Sequence, residues 1–235
     1  MKNQYFGDVN DFRKYGLLRT LQRASQLTLG VCWFLTSDDG GGDGELRKYL
    51  SQPQRWRRYD PDLYEKLQRL LTPGTPRTVR HAREWDLISN ASYFDALLQD
   101  NRTAREAYFQ AARQALGNCD VLFLDPDNGI EIASRKLGTV GSSKYVYWSE
   151  LQDMYEHGHS ILVYQHFPRV VRERFVPFLA GRLSEELRAS SVVAFWTPYV
   201  VFFLVQQPRH ESAFASAAHE VQQQWRNQIT VWRRD

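Results

Sequence analysis

Cysteine is scarce in this sequence. Cys32 and Cys119 are the two thiols among 235 residues, and each lies in an apolar, strand-like run with no second pair nearby. Two isolated thiols exclude a disulfide framework and a cysteine zinc site, and they suit buried side chains in a reducing compartment. Long hydrophobic runs are missing too. None approaches the roughly 20 residues that cross a bilayer, and Met1 to Asp11 holds no apolar signal core. The expectation is a cytoplasmic protein with no membrane partner. Lysine is the third scarcity, 6 residues against 24 Arg at a net charge of +3. The planar arginine fork favours bidentate contacts with phosphate or carboxylate, so the composition leans toward nucleic acid, RNA or DNA, as a partner. Internal repeats are absent, as is a regular dinucleotide-binding glycine spacing.

A chain of this length buries one large α/β core without staples, so a single domain over 1–235 is expected. Its centre is the stretch Cys119 to Glu131. Val121 to Leu124 form an unbroken apolar run entered from a turn at Gly117-Asn118, which suits a strand buried on both faces of a parallel sheet. The run meets Asp125, Pro126, Asp127, Asn128 and Gly129, where proline cannot extend a ladder and glycine permits a tight turn. In open α/β sheets ligands sit beyond the carboxyl ends of the strands, so these acidic groups read as one wall of a site. The plainer alternative is a turn whose aspartates only cap backbone N–H groups.

Upstream, Asp11 is placed to cap a helix from Phe12 to about Ser25, with Phe12, Tyr15, Leu18 and Leu21 on one face. Leu27 to Leu35 reads as the first strand, followed by the turn Asp38-Asp39-Gly40-Gly41-Gly42-Asp43-Gly44 and a helix near Glu45 to Leu50. Strand, glycine turn and helix form the layout of a phosphate or carboxylate cradle. Four acidic residues around the turn repel phosphate and better suit a ribose, an amino group or a metal; the alternative is a surface loop. Residues 51–77, rich in Arg, Pro, Trp and Tyr, read as a small helical insertion with a helix at Pro61 to Leu71. Within it Arg55-Trp56-Arg57-Arg58-Tyr59 either binds phosphates and stacks bases, or is a solvated face with Trp56 and Tyr59 packed on the body. Thr78 to Arg83 reads as a second strand.

Downstream come a helix from Thr103 to Leu116 capped by Asp100 or Asn101, a helix from Ser149 to His157 capped by Ser149, and a strand from Ser160 to Gln165. A helix from Arg169 to about Leu187 follows, then strands Ser191–Trp196 and Val200–Val205, a helix Arg209–Trp225 and a strand Gln228–Trp232. The alternation predicts an α/β fold, a three-layer, mostly parallel sheet closed by an antiparallel C-terminal hairpin. His166, at a strand exit, reads as a base or ligand or, more often at such a position, as a structural group, and His157 and His159 read as helix-end residues satisfying carbonyls.

This order of elements resembles the Rossmann-like S-adenosylmethionine-dependent methyltransferases, the nearest likeness being the ribosomal-RNA adenine-N6 methyltransferase J family. Gly7, Asp11 and Lys14 match the spacing of a glycine, an aspartate and a lysine in that family's N-terminal arm, which folds over the cofactor. Gly40 and Gly42 match its Gly-x-Gly turn, and Asp125-Pro126 matches the start of its Asp-Pro-Pro-Tyr motif. The resemblance implies S-adenosylmethionine as cofactor, held by Gly7, Asp11, Lys14, Asp38, Asp39, Gly40 and Gly42. It implies a catalytic loop of Asp125, Pro126 and Asn128, in which Asp125 and the Pro126 carbonyl accept the N–H bonds of an adenine N6 or similar amine in nucleic acid. Asp127 and Asn128 stand where the family has its second proline and the aromatic that stacks on a flipped base; Tyr145, Tyr147 and Trp148 are candidates for the stack. Thr36 stands where the family's first strand ends in an acidic residue.

Two other readings compete. If the first and fourth strands adjoin, Asp38, Asp39, Asp125, Asp127 and Glu131 converge as oxygen ligands for Mg²⁺ or Mn²⁺, and the protein is a metal-dependent nuclease or phosphoesterase. Alternatively it is a catalytically silent nucleic-acid-binding protein with a methyltransferase-like fold.

Overall fold

The computed structural model describes residues 1–42 and 44–233, so the acidic group of Asp43 lies outside the described residues. Short apolar segments form the sheet: Leu29–Cys32 (β1), Ser92–Phe94 (β2), Val121–Leu124 (β3), Ser160–His166 (β6), Ser191–Trp196 (β7), Val200–Gln206 (β8) and Thr230–Arg233 (β9). Gly129–Ile130 (β4) and Tyr145–Val146 (β5) pair separately. In space the order is β2-β1-β3-β6-β8-β7-β9. The first four neighbours are parallel, β8 runs against β6 and β7, and β9 runs against β7. The chain therefore has an α/β fold with a mostly parallel seven-stranded sheet among the described residues, compatible with a Rossmann-like architecture.

Side chains alternate across this sheet, as the strand period of two requires. Val31, Phe123, Leu162, Phe202 and Leu204 enter one core, while Cys32, Leu122, Leu124, Val163 and Phe203 enter the other. Val9–Ser25 (α1), Pro53–Trp56 (α2), Pro61–Leu70 (α3), His81–Glu84 (α4) and Glu211–Gln224 (α8) contribute to the first core; Arg102–Leu116 (α5), Trp148–Glu156 (α6) and Arg172–Leu187 (α7) close the second. The expected three layers are present. The 51–77 segment joins the first core through Trp56, Tyr59, Leu63, Tyr64, Leu67 and Leu70. Burying each large side chain stabilises by about 1.5–3 kcal/mol, enough to hold the insertion against the body.

Several boundaries differ from expectation for local reasons. Helix α1 starts at Val9, because the Asp8 carboxylate accepts from the Asn10 and Asp11 N–H groups and takes the cap expected of Asp11. Strand β1 is shorter than Leu27 to Leu35, since Phe34 adopts φ 48° and breaks the extended run. The segment 78–87 is not a strand: its backbone bonds locally, Ala82 N–H to Val79 O and Leu87 N–H to Ala82 O, and β2 supplies the sheet edge instead. A 3₁₀ turn at Lys48–Ser51 replaces the helix expected at Glu45 to Leu50. Helix α6 begins one residue early, Glu150 accepting the Tyr147 N–H at 2.9 Å, and α7 begins only at Arg172.

Candidate functional site

Strands β1 and β3 lie side by side, Cys32 opposite Leu124, so their exits open at the same edge of the sheet. Helix α1 crosses that edge. Asp11 and Lys14, one turn apart on it, share a face, and the Lys14 ammonium lies 2.6 Å from Asp11 Oδ1 and 2.7 Å from Asp125 Oδ2. Gly7 turns the arm into the helix at φ +83°, and its N–H donates to Asp11 Oδ2 at 2.9 Å. Asp11, Lys14 and Asp125 are all buried.

The loop after β3 is locked from beneath by Gln165. Its side chain accepts from the Ile130 N–H at 2.9 Å and donates to the Asn128 and His166 carbonyls, while the Asn128 N–H donates to Lys144 O. Gly129, at φ +109°, admits this contact, since a Cβ there would meet Gln165 Oε1 at 2.3 Å. On the β1 side the left-handed turn at Phe34, uncommon for a bulky residue, aims its carbonyl into the crevice. The Met1 nitrogen stands 3.2 Å from Phe34 O, 3.0 Å from Asp125 O and 2.6 Å from Asp127 Oδ1. That last contact is an ion pair by distance only, for Asp127 Oδ1 receives no well-aligned hydrogen bond.

Burial and crowding set the charge states. Burial pushes the Asp8 carboxyl up to about 6, with Asp11 adding to the shift. Burial likewise raises Asp125, against the pull of Lys14. Burial alone would lower Lys14, yet Asp11 and Asp125 together carry it above the ordinary lysine value. Four carboxylates, those of Asp8, Asp11, Asp125 and Asp127, thus line a cleft with two ammonium groups, and Tyr164 and Phe202 form its apolar wall. The cavity is about 80 Å³, below the roughly 150 Å³ that takes a benzene-sized molecule.

Of the residues singled out in the sequence, Asp11, Lys14, Asp125 and Pro126 meet at this cleft, with Gly7 supporting Asp11 from the arm. Asn128 serves the loop through its backbone. Asp38 and Asp39 are exposed and hold the arm instead: Asp38 accepts the Gln4 N–H, and Asp39 pairs with Lys2. Gly40 and Gly42 face open space and do not line the cleft. The five carboxylates considered for Mg²⁺ or Mn²⁺ therefore do not converge, and Lys14 stands between Asp11 and Asp125. Among the described residues no three His, Cys, Asp or Glu side chains are grouped to hold a metal ion. The sequence reading missed Asp8 and Phe34 as site residues. Asp8 carried a signal, an acid three residues before Asp11 at a helix start; Phe34 carried none.

What the fold and the site define is an α/β protein with a buried, acid-rich cleft at the carboxyl edge of a mostly parallel sheet. Compared with known proteins, the sequence matches no family model and no curated relative. No helix among the described residues is long and apolar enough to cross a membrane.

Proposed function

We propose that the protein is an S-adenosylmethionine-dependent methyltransferase that acts on an amine nitrogen, an adenine N6 of nucleic acid or a similar group. The observation that carries this reading is the convergence of two backbone carbonyls and a carboxylate on one nitrogen at the exit of β3, in the contacts of Phe34, Asp125 and Asp127 with Met1. An acceptor amine needs such a set: oxygens that take its N–H bonds fix its lone pair, and a carboxylate receives the proton it releases. Asp125, Pro126 and Asp127 line the cleft where this set lies, beside the rings of Tyr164 and Phe202. The position of β8, antiparallel between β6 and β7, fits the sheet that the resemblance leads one to expect.

The surplus of carboxylates suits a cationic cofactor, and Asp8, Asp11 and Lys14 would hold it once Met1 leaves the crevice and Lys2 releases Asp39. When bound, S-adenosylmethionine supplies an electrophilic methyl group on a positively charged sulfur. Calorimetry with S-adenosylmethionine, on the protein and on a Lys2→Ala variant that frees the arm from Asp39, tests the reading: one-to-one heat is expected, larger in the variant. Silence in both sinks it. The filled, small crevice favours a second reading, a silent nucleic-acid-binding protein, for which an oligonucleotide would give heat and the cofactor none.

A further inference from the structure

We propose a second site beside the cleft, formed by Arg13, Arg55 and Arg58, that takes a phosphate group of a nucleotide or a nucleic-acid strand. It goes beyond the methyl-transfer reading and holds whichever chemistry the cleft performs. Arg13, on α1, is only 5% exposed. Its guanidinium carbon lies 5.1 Å from the centroid of the Trp56 ring, and that of Arg55 lies 5.5 Å from the same ring, so two like charges share one indole. Arg58 follows 5.0 Å from the Tyr59 ring and donates to its hydroxyl at 3.0 Å.

Buried charges are ordinarily paired, because desolvating a lone ion is costly. Arg13 is such a buried charge, and among the described residues neither it nor the exposed Arg55 and Arg58 forms an ion pair with a carboxylate, whereas Arg57 is tied to Glu65 at 2.5 Å, and Arg19 on α1 to Asp60 at 2.7 Å. Arg13 donates instead to neutral amide oxygens, from Nε and Nη2 to Gln228 Oε1 and from Nη1 to Asn10 Oδ1. A guanidinium has five N–H donors; these contacts leave one unused on each terminal nitrogen, and no carboxylate among the described residues lies within ion-pair distance. Gln228 also donates to the Tyr59 hydroxyl, which links Arg13 to Arg58 through one network. Burial lowers the affinity of Arg13 for its proton and Arg55 adds to that, against the opposing pull of Tyr199 and Asp8. A doubly acidic oxygen ligand relieves both effects, and the arginine fork matches phosphate geometry.

Two neighbours point to a nucleotide rather than to a bare anion. Tyr199, in the turn between β7 and β8, lies 5.8 Å from the Arg13 guanidinium and is 48% exposed, offering a ring face to a base. Asn10, the acceptor for Arg13, also lines the acidic cleft, so a phosphate held here sets the attached nucleoside at the cleft mouth.

The test is fluorescence anisotropy of the full chain with a labelled short single-stranded oligonucleotide, over a range of salt, with AMP and inorganic phosphate as competitors. Arg55 and Arg58 are exposed, so Arg55→Gln and Arg58→Gln should fold normally. The double variant is expected to bind about tenfold more weakly, with the slope of log affinity against log salt falling by about one for each arginine removed. Arg113→Gln, which removes one such charge on α5, should leave binding unaltered. Displacement by AMP or phosphate assigns the site to a terminal phosphate, and salt-sensitive binding that neither displaces assigns it to the phosphodiester backbone. A double variant that binds as the parent does, or no more weakly than Arg113→Gln, overturns the proposal, as does a parent that binds none of the three probes.

Discussion

Lys14 and Asp125 meet at 2.7 Å across the crevice, from positions 111 residues apart in the chain, and both are buried. The pair joins α1 to the exit of the central strand. Its energetics are those of a buried ion pair: the pair as a whole adds little, whereas the loss of one member leaves the other charged and unsolvated. Lys14 is also the sole cation bonded to Asp11 among the described residues, so its removal strands two carboxylates at once.

Lys14→Met is therefore expected to destabilise the fold by about 3–5 kcal/mol, and Asp125→Asn on the same background should recover part of that loss. Denaturant unfolding of the two single variants and the double variant closes the cycle. A Lys14→Met protein with the midpoint of the parent would show that the contacts of Lys14 with Asp11 and Asp125 do not stabilise the fold.

Gly129→Ala tests the lock under the loop. The substitution meets both the φ of +109° and Gln165 Oε1, and Gln165 cannot swing away without releasing Ile130, Asn128 and His166. A loss of about 1–3 kcal/mol is expected. Thermal melts measure it. Gln165→Ala on top of Gly129→Ala should cost little further, since the contact it makes is already lost.

The sheet was legible where the pattern was strong. Val121 to Leu124 and the hairpin of β7 and β8 are continuous apolar runs bounded by turn residues, and their ends lie within a residue of expectation. The edge strand β2 was not, because Ser92, Tyr93 and Phe94 alone carry it and their partners on β1 are distant in sequence. Asp125 and Lys14 were legible as residues at a strand exit and on a helix face. Their union was not legible from either segment, as only the crossing of α1 over the sheet edge brings them together. The glycine turn misled for a physical reason: Asp38 and Asp39 bind the arm, which draws the loop over Gln4 and Lys2 and away from Asp125. Trp56 and Tyr59 proved to be core, as the packed-face alternative had it, while the arginines beside them stay at the surface.

Glu150→Ala should loosen the candidate site from a distance. Arg105 is 1% exposed and is held by Glu150 at 2.5 Å, while its other donors take the carbonyls of Ser142 and Tyr145. That segment in turn accepts the Asn128 N–H at Lys144 O and the Glu131 N–H at Val146 O. Removing the carboxylate leaves a buried guanidinium unpaired, at a cost of about 3–5 kcal/mol. Hydrogen exchange is the discriminating measurement: the amides of Asn128 and Glu131 should exchange faster in the variant, by more than those of β7 and β8. Equal acceleration throughout would mean that the network only stabilises the fold.

Asp8 makes stability depend on pH in a direction opposite to that of most carboxylates. Its folded value is raised from 3.8 to about 6, so between those values the folded state binds more protons than the unfolded one, and stability falls as pH rises. The cost is complete above pH 6 and amounts to roughly 3 kcal/mol at 1.36 kcal/mol per unit. Asn keeps the capping oxygen that Asp8 offers to the Asn10 and Asp11 N–H groups, and it carries no charge. Asp8→Asn should therefore match the parent near pH 4, where Asp8 is mostly protonated in the folded protein, and melt at a higher temperature at pH 7 to 8. A gain that is the same at both ends of the range would place the effect in the cap rather than in the buried charge, and a loss at pH 7 would mean that Asp8 is stabilised as the carboxylate by Lys14.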